Sequence, residues 1–344
     1  MTVFSDNNLE LHHASALDVY GEWETPTVIL SDGAYGVGGF PGDPKTPSEL
    51  ADWYLPHIKA WTEAASSRTT LWFWNTEIGW ASTHPVMEDH GWKYVSCNIW
   101  DKGISHVAGN SNTQTLRHFP KVTEVCVQYV REPYIQAGNE HVSFRSWLIS
   151  EWQRSGLPFS EANVACGVKN AASRKYLTSG PEWYPPPPEM LKMMEDYLNN
   201  YGDPEGKPYL DLNQVEGLEG DWKRIRSVFH CEMGVTNVWR QSSPRGKSRV
   251  PYGKSTHPNQ KPLKLVERVV SASSNKGDVV WEPFAGTAPA AVVSLRTGRS
   301  YYGAEISDEF FKLCCHRLTQ RGLADGSDLL DDTDVGEFLE QFLE

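Results

Sequence analysis

The stretch that most restricts what this chain can fold into is GDVVWEPFAGTAPAAVVSLRTGRSYYGAEIS, residues 277–307. An apolar run, Val279 to Trp281, gives way to Glu282-Pro283-Phe284-Ala285-Gly286-Thr287. A helical stretch follows, Ala288 to Arg296, then a second strand, Ser300 to Ala304, ending at Glu305. This is the layout of a nucleoside-binding strand–helix–strand unit. A glycine lets the backbone approach the ligand, and an acid at the second strand tip can accept both ribose hydroxyls. Taken alone, the turn also suits an ordinary strand–turn–helix.

The turn lacks the GxGxxG spacing of a dinucleotide fold. The missing glycines argue against a pyrophosphate cradle and for a phosphate-free nucleoside such as S-adenosylmethionine. A second strand tip lies far upstream. VILSDGAYG, residues 28–36, runs a buried strand straight into a carboxylate, two small residues, a phenol and a glycine. Strand tips of α/β sheets are where such folds keep their chemistry. By itself Asp32-Gly33 also reads as a common turn.

Between these landmarks the pattern alternates. Strands are expected at Thr27–Leu30, Thr70–Trp74, Tyr94–Trp100 and Glu124–Val130, with a helix over Ser48–Ala65 and a second helical piece closing at Met87–Gly91. After Pro262 the pattern resumes with a helix over Leu263–Ser273 and closes with one over Asp308–Arg317. This predicts an α/β fold with a mostly parallel, doubly wound sheet. Residues 132–250 differ, with helical pieces broken by Pro and Gly clusters, and they read as an inserted, mainly helical module. The expected division is 1–131, 132–235, 236–322 and an acidic tail, 323–344.

Further resemblances attach to these motifs. EPFAGTA resembles the DPFxGxG cofactor motif of DNA amino-methyltransferases. HPNQKPLKLVERVV (257–270) resembles the Lys-Pro segment that precedes it in the beta-type permutation, where the DPPY motif comes early. Asp32-Gly33-Ala34-Tyr35-Gly36 stands where DPPYG would stand. TLWFWN (70–75), NIWDKG (98–103), TEVCVQYV (123–130), NVW (237–239) and LHHASALDVYGEW (11–23) resemble the remaining segments in order. Both prolines of DPPY are replaced, Glu282 stands for Asp, Ala288 for the last Gly, and Ser15 for the Asp of the opening motif.

The resemblance implies a Rossmann-like methyltransferase fold with circularly permuted motif order. It implies S-adenosylmethionine as cofactor and transfer of its methyl to the exocyclic amino group of a flipped base, adenine N6 before cytosine N4. An RNA methyltransferase and a non-catalytic DNA-binding relative are the other readings. Asp32 would accept hydrogen bonds from the amino group, the Gly33 carbonyl would assist, and Tyr35 would stack on the base. Glu282, Phe284, Gly286 and Thr287 would line the cofactor, Glu305 would hold the ribose, Lys261 and Pro262 would wall the methionine end, and Ser15 would lie by the adenine.

The insert is expected to read sequence. LPFSEANVACGVKNAASRKYL (157–177) suggests a helix over Glu161–Cys166, a turn, and a second helix over Lys169–Leu177 carrying Lys169, Asn170 and Arg174. The chain's net charge is −12. The tail from Leu323 holds eight acids and no Lys or Arg, whereas residues 221–261 hold nine basic side chains against two acids, a net of +7. Lys223, Arg245, Lys247 and Arg249 in that stripe would meet phosphates. Double-stranded DNA is therefore the expected partner, and a homodimer stays open. Six cysteines without metal spacing and no signal-like or membrane-length segment predict a metal-free cytoplasmic, nucleoid-associated protein. Fourteen Trp suggest that several line a groove.

Overall fold

The computed structural model describes residues 2–6, 8–40, 42–107, 115–137, 140–180, 183–211, 215–216, 227–244, 251–252, 255–256 and 259–319. Lys223, Arg245, Lys247, Arg249 and the acidic tail lie outside them. Two compact units emerge: 1–130 with 228–344, and 131–227. Residues 228–235 pack with the first, where the His230 amide donates to the Ala272 carbonyl at 2.7 Å.

In chain order the first unit contributes β1 (Thr2–Asp6), β2 (Leu9–His13), β3 (Val28–Ser31), α1 (Leu50–Ala64), β4 (Thr70–Asn75), α2 (Glu77–Asp89), β5 (Trp92–Asp101) and β6 (Thr123–Arg131). The second contributes β7 (Tyr134–Ala137), β8 (Glu140–Ser143), α3 (Phe144–Arg154), α4 (Glu161–Ala165), α5 (Ala171–Tyr176), α6 (Pro188–Tyr201) and β9 (Val215–Glu216). The chain then returns with β10 (Val238–Arg240), β11 (Pro251–Tyr252), β12 (Ser255–Thr256), α7 (Leu263–Ser273), β13 (Val279–Glu282), α8 (Pro289–Thr297), β14 (Ser300–Glu305) and α9 (Asp308–Thr319).

Nine strands form one sheet in the order β1-β2-β14-β13-β3-β4-β6-β5-β10. From β2 to β4 every pairing is parallel; β1 joins β2 and β6 joins β4 antiparallel. The mostly parallel, doubly wound α/β sheet is thus present, and β1 and β2 extend it beyond the strands expected from the sequence. Both faces are buried, as parallel strands require. Val28, Leu30, Trp72, Trp74 and Val280 join one apolar cluster with α7 and α8, while Ile29, Leu71, Phe73 and Trp281 join another with α1. Among the described residues nine tryptophans are buried: 23, 61, 72, 74, 92, 100, 152, 239 and 281. The expectation that several Trp line a groove is corrected for these nine: eight pack into the two cores of the two-sided sheet, and Trp152 into the core of the second unit.

The second unit is less purely helical than expected. Beside α3–α6 it carries a three-stranded sheet, β8-β7-β9. Its helical hairpin is also shorter than the sequence suggests. The second helix starts at Ala171, so Lys169 and Asn170 stand in the turn rather than on it. The physical cause is Asn163, whose Oδ1 accepts the Ala172 and Ser173 amides at 3.0 and 3.2 Å and so fixes the helix start. Among the described residues no helix is long and apolar enough to cross a membrane.

Trp281 is fully buried, stacks on Tyr20 at 5.5 Å and donates its indole N–H to the Glu24 carbonyl at 2.8 Å. Trp281→Ala is expected to cost about 3–5 kcal/mol, read as a lower denaturation midpoint in guanidinium.

Candidate active site

The site follows from one adjacency. β13 and β3 are neighbours, with Val280 opposite Val28 and Trp281 opposite Ile29. From β3 the chain crosses through α1 to β4 on one side; from β13 it crosses through α8 to β14 on the other. Where crossovers diverge, the strand tips leave a crevice. Here it is a cleft of about 720 Å³. Its lining includes Ser15, Asp32, Gly33, Tyr35, Lys261, Glu282, Phe284, Gly286, Thr287 and Glu305. Pro262 is not part of the lining; it is buried as the N-cap residue of α7.

On the β13 side the Gly286 turn is held by the tip of β14. Gly286 adopts φ +57°, and its amide donates to Glu305 Oε2 at 2.7 Å. The other oxygen of Glu305 accepts the Ser307 amide at 2.8 Å. The Ile306 amide also acts on this carboxylate, whose roughly four acceptor sites are not all taken by these amides. Burial raises the Glu305 carboxyl, and the backbone amides pull it back. Ala288 also sits in the left-handed region, φ +50°, which explains why a glycine suits that position. Thr287 Oγ1 is buried without a hydrogen-bond partner among the described residues.

Glu282 is turned to a different task. Oε1 accepts the Ala290 amide at 3.2 Å in the first turn of α8, and Oε2 accepts the Tyr301 hydroxyl at 2.9 Å. Burial pushes its carboxyl up to about 8. It therefore braces β13, α8 and β14 as a largely neutral acid at neutral pH.

On the β3 side every residue of the loop is held from outside. Gly33 lies so close to its neighbours that a Cβ would come within 2.7 Å of the Phe284 ring and 2.8 Å of the Tyr54 hydroxyl. The Ala34 carbonyl accepts the Tyr54 hydroxyl at 3.0 Å and Asn75 Nδ2 at 2.8 Å. Asn75 is buried as this brace, and Glu77 pairs with Lys121. Asp43 Oδ1 accepts the amides of Tyr35 and Gly36 at 3.2 and 3.0 Å.

Asp32 and Tyr35 meet a buried charge cluster. Lys261 Nζ lies 2.7 Å from Asp32 Oδ1, 3.0 Å from the Tyr35 oxygen and 3.5 Å from Glu124 Oε2. The Tyr35 hydroxyl is 2.9 Å from Asp32 Oδ1 and 3.1 Å from Glu124 Oε2. Lys102 closes the group with an ion pair to Glu124 Oε1. Burial raises Asp32, and Lys261 opposes that rise. Burial also works on Glu124, but Lys261 and Lys102 outweigh it and hold its carboxyl below the usual range. Glu124 and Lys102 were not singled out as site residues from the sequence. Their only sequence signal was membership of the TEVCVQYV and NIWDKG segments.

In the second unit Lys169, Asn170 and Arg174 are all exposed.

The profile of the N6/N4 DNA methylase family matches residues 27–315. The chain belongs to the DNA methylase family. Among curated relatives, the DNA adenine methyltransferase YhdJ of Escherichia coli is 45% identical over 62 residues, 18% of this chain and 21% of the relative. The type II methyltransferase M.HpaI of Haemophilus parainfluenzae is 36% identical over 113 residues, 32% of this chain and 34% of the relative. These matches span about a fifth to a third of those relatives. Among solved structures, the PvuII cytosine-N4-specific DNA methyltransferase aligns with TM-score 0.55 and 11% identity, covering 98% of this chain and 93% of that one. The M1.HpyAVI–SAM complex aligns with TM-score 0.50 and 14% identity, covering 90% and 98%. The methylase fold is therefore shared well beyond recognisable sequence identity.

Two outcomes follow from this packing. Gly33→Ala forces a methyl against Phe284 and Tyr54 and is expected to destabilise this methylase by about 1–3 kcal/mol, read by thermal unfolding. Glu282 binds a proton more tightly when folded, so its contribution is present below the unfolded value of 4.5 and is lost as pH rises towards about 8. Glu282→Gln is expected to flatten that part of the Tm-against-pH curve.

Proposed function

We propose that this chain transfers the methyl group of S-adenosylmethionine to an exocyclic amino group in double-stranded DNA, adenine N6 ahead of cytosine N4. The observation that carries the reading is that Asp32, the Gly286 turn and Glu305 open into one cleft. Three features of the β13 side suit a nucleoside. Gly286 lets the backbone approach, Glu305 retains acceptor capacity for the ribose hydroxyls, and the Thr287 hydroxyl lacks a partner among the described residues. Phe284, within 5.4 Å of Trp53 and 4.9 Å of His57 by ring centroids, supplies an apolar wall. Ser15 lines the same cleft. The bound cofactor supplies an electrophilic methyl on a sulfonium.

An exocyclic amino nitrogen is a weak nucleophile because its lone pair delocalises into the ring. Asp32 accepts a hydrogen bond from that group and takes up its proton as the N–C bond forms. The Gly33 carbonyl, which meets no donor among the described residues, is the second acceptor. Tyr35 lines the cleft with its hydroxyl tied to the charge cluster, so its ring is a fixed surface for the base. A paired base cannot reach such a cleft, so the target leaves the stack. Most of the remaining gain comes from positioning. Asp32 and the E. coli relative's adenine specificity support adenine. Exposed Lys169, Asn170 and Arg174 of the second unit are the proposed readers of the site, with the 221–254 stripe on phosphates. Such an enzyme works where the genome lies, in the cytoplasm.

The test is nucleoside mass spectrometry after incubation with S-adenosylmethionine and unmethylated genomic DNA. N6-methyladenine is expected, with Asp32→Ala reducing it by about 10²-fold or more. N4-methylcytosine would overturn the choice of base. Cofactor binding without either product would overturn DNA as the substrate.

A further inference from the structure

The DPPY-like loop of this chain has no proline to stiffen it, yet its carboxylate must point one way. We propose that Lys261 is the positioning residue for Asp32, with Glu124 and Lys102 completing a four-charge clamp that replaces the lost rigidity and leaves one Asp32 oxygen for the target amino group. The inference rests on the methyl-transfer reading above.

The geometry is specific. Lys261 lies in the Lys-Pro segment just before α7, and its side chain is 2% exposed. Its ammonium reaches three oxygens from two other elements: Asp32 and Tyr35 after β3, and Glu124 of β6. An ammonium has three donors, and these contacts account for them. Asp32 Oδ1 receives both Lys261 and the Tyr35 hydroxyl. Oδ2 has no partner among the described residues, and Asp32 lines the cleft. One oxygen is therefore anchored and the other is left to work.

Glu124 keeps the balance. A single buried ammonium beside Asp32 would neutralise the acceptor; a second carboxylate shares that charge, and Lys102 compensates the second carboxylate in turn. Two ammonium and two carboxylate groups leave the cluster neutral overall. This matters because a buried charge left without a partner costs far more than one held in a pair. The same lysine lies 5.2 Å from the centroid of the Tyr35 ring. It thus steadies the proposed stacking surface as well as the acceptor.

The other groups acting on Asp32 are few. Tyr54 reaches the loop from α1, Glu282 stands at the tip of β13, and Cys126 lies in β6. Among the described residues Lys261 is the cation that touches Asp32. Two substitutions therefore push Asp32 in opposite directions. Lys261→Met removes the attraction and raises its protonation midpoint. Glu124→Gln removes a repulsion and lowers it.

The experiment follows the Asp32 carboxyl carbon by NMR titration in the full chain, a readout that needs no turnover. Lys261→Met is expected to move the midpoint up by about one pH unit or more, Lys261→Arg to keep it near wild type, and Glu124→Gln to move it down. In parallel, kcat of Lys261→Met is expected to fall about tenfold near neutral pH and recover in part at higher pH, with S-adenosylmethionine affinity nearly unchanged. An unmoved midpoint in Glu124→Gln and Lys261→Met, or lost cofactor affinity with an unmoved midpoint, overturns the clamp and makes Lys261 a structural or cofactor residue. If Lys261→Met does not fold, Glu124→Gln against Lys261→Arg decides. Absence of methylated product with wild type overturns the function; it leaves the titration result to decide the clamp separately.

Discussion

The parallel contact between β3 and β13 is the constraint on which the rest depends. Both strands are buried on both faces, and their register brings Leu30-Ser31 beside Glu282-Pro283, so that both turns open at the same end of the sheet. The amide of Thr27 donates to Val279 at 2.9 Å and sets that register just before the strands begin. A slip of one residue would send Val28 and Leu30 to the opposite face and misplace both turns. Nearly 250 residues of chain separate the two strands, so only the sheet brings the two halves of the cleft together.

Around that contact the two acids of the cofactor side divide their work by environment. Glu282 is buried, tied to an amide and a tyrosine, and held largely neutral. Glu305 stands at the tip of β14, bound by backbone amides but still lining the cleft. The first holds the turn's frame together, and the second remains available. A methylene more than aspartate lets Glu282 reach across to α8 and β14.

The loop of Asp32 to Gly36 shows how a motif can lose its stiffest residues and stay ordered. A proline fixes φ from within. Here the order comes from without: Phe284 and Tyr54 against Gly33, Tyr54 and Asn75 on the Ala34 carbonyl, Asp43 on two amides, and Lys261 with Glu124 on the two functional side chains. The holding residues come from α1, β4, β6, the loop after Gly36, the segment before α7 and the turn after β13. Rigidity has moved from the backbone of the loop to the packing of the whole unit.

The sequence by itself determined the elements that depend on neighbours in the chain. Apolar runs such as Val279–Trp281, the glycine at 286, the acid at 305 and the order of motifs were legible because strands, turns and their spacing are local properties. The family followed from that order. What was not legible depended on distant groups meeting. Most of the tryptophans read as groove residues fill the two cores of the sheet, since burial is decided by the packing on each face of a two-sided sheet. The helix expected from Lys169 begins at Ala171, because the cap comes from Asn163. Lys261, read as a wall of the cofactor site, pairs with Asp32, and Glu124 and Lys102 join it from other strands. Tertiary structure alone decided this clamp, because a charge finds its partner through space, at a few ångströms, and sequence separation carries no record of that distance.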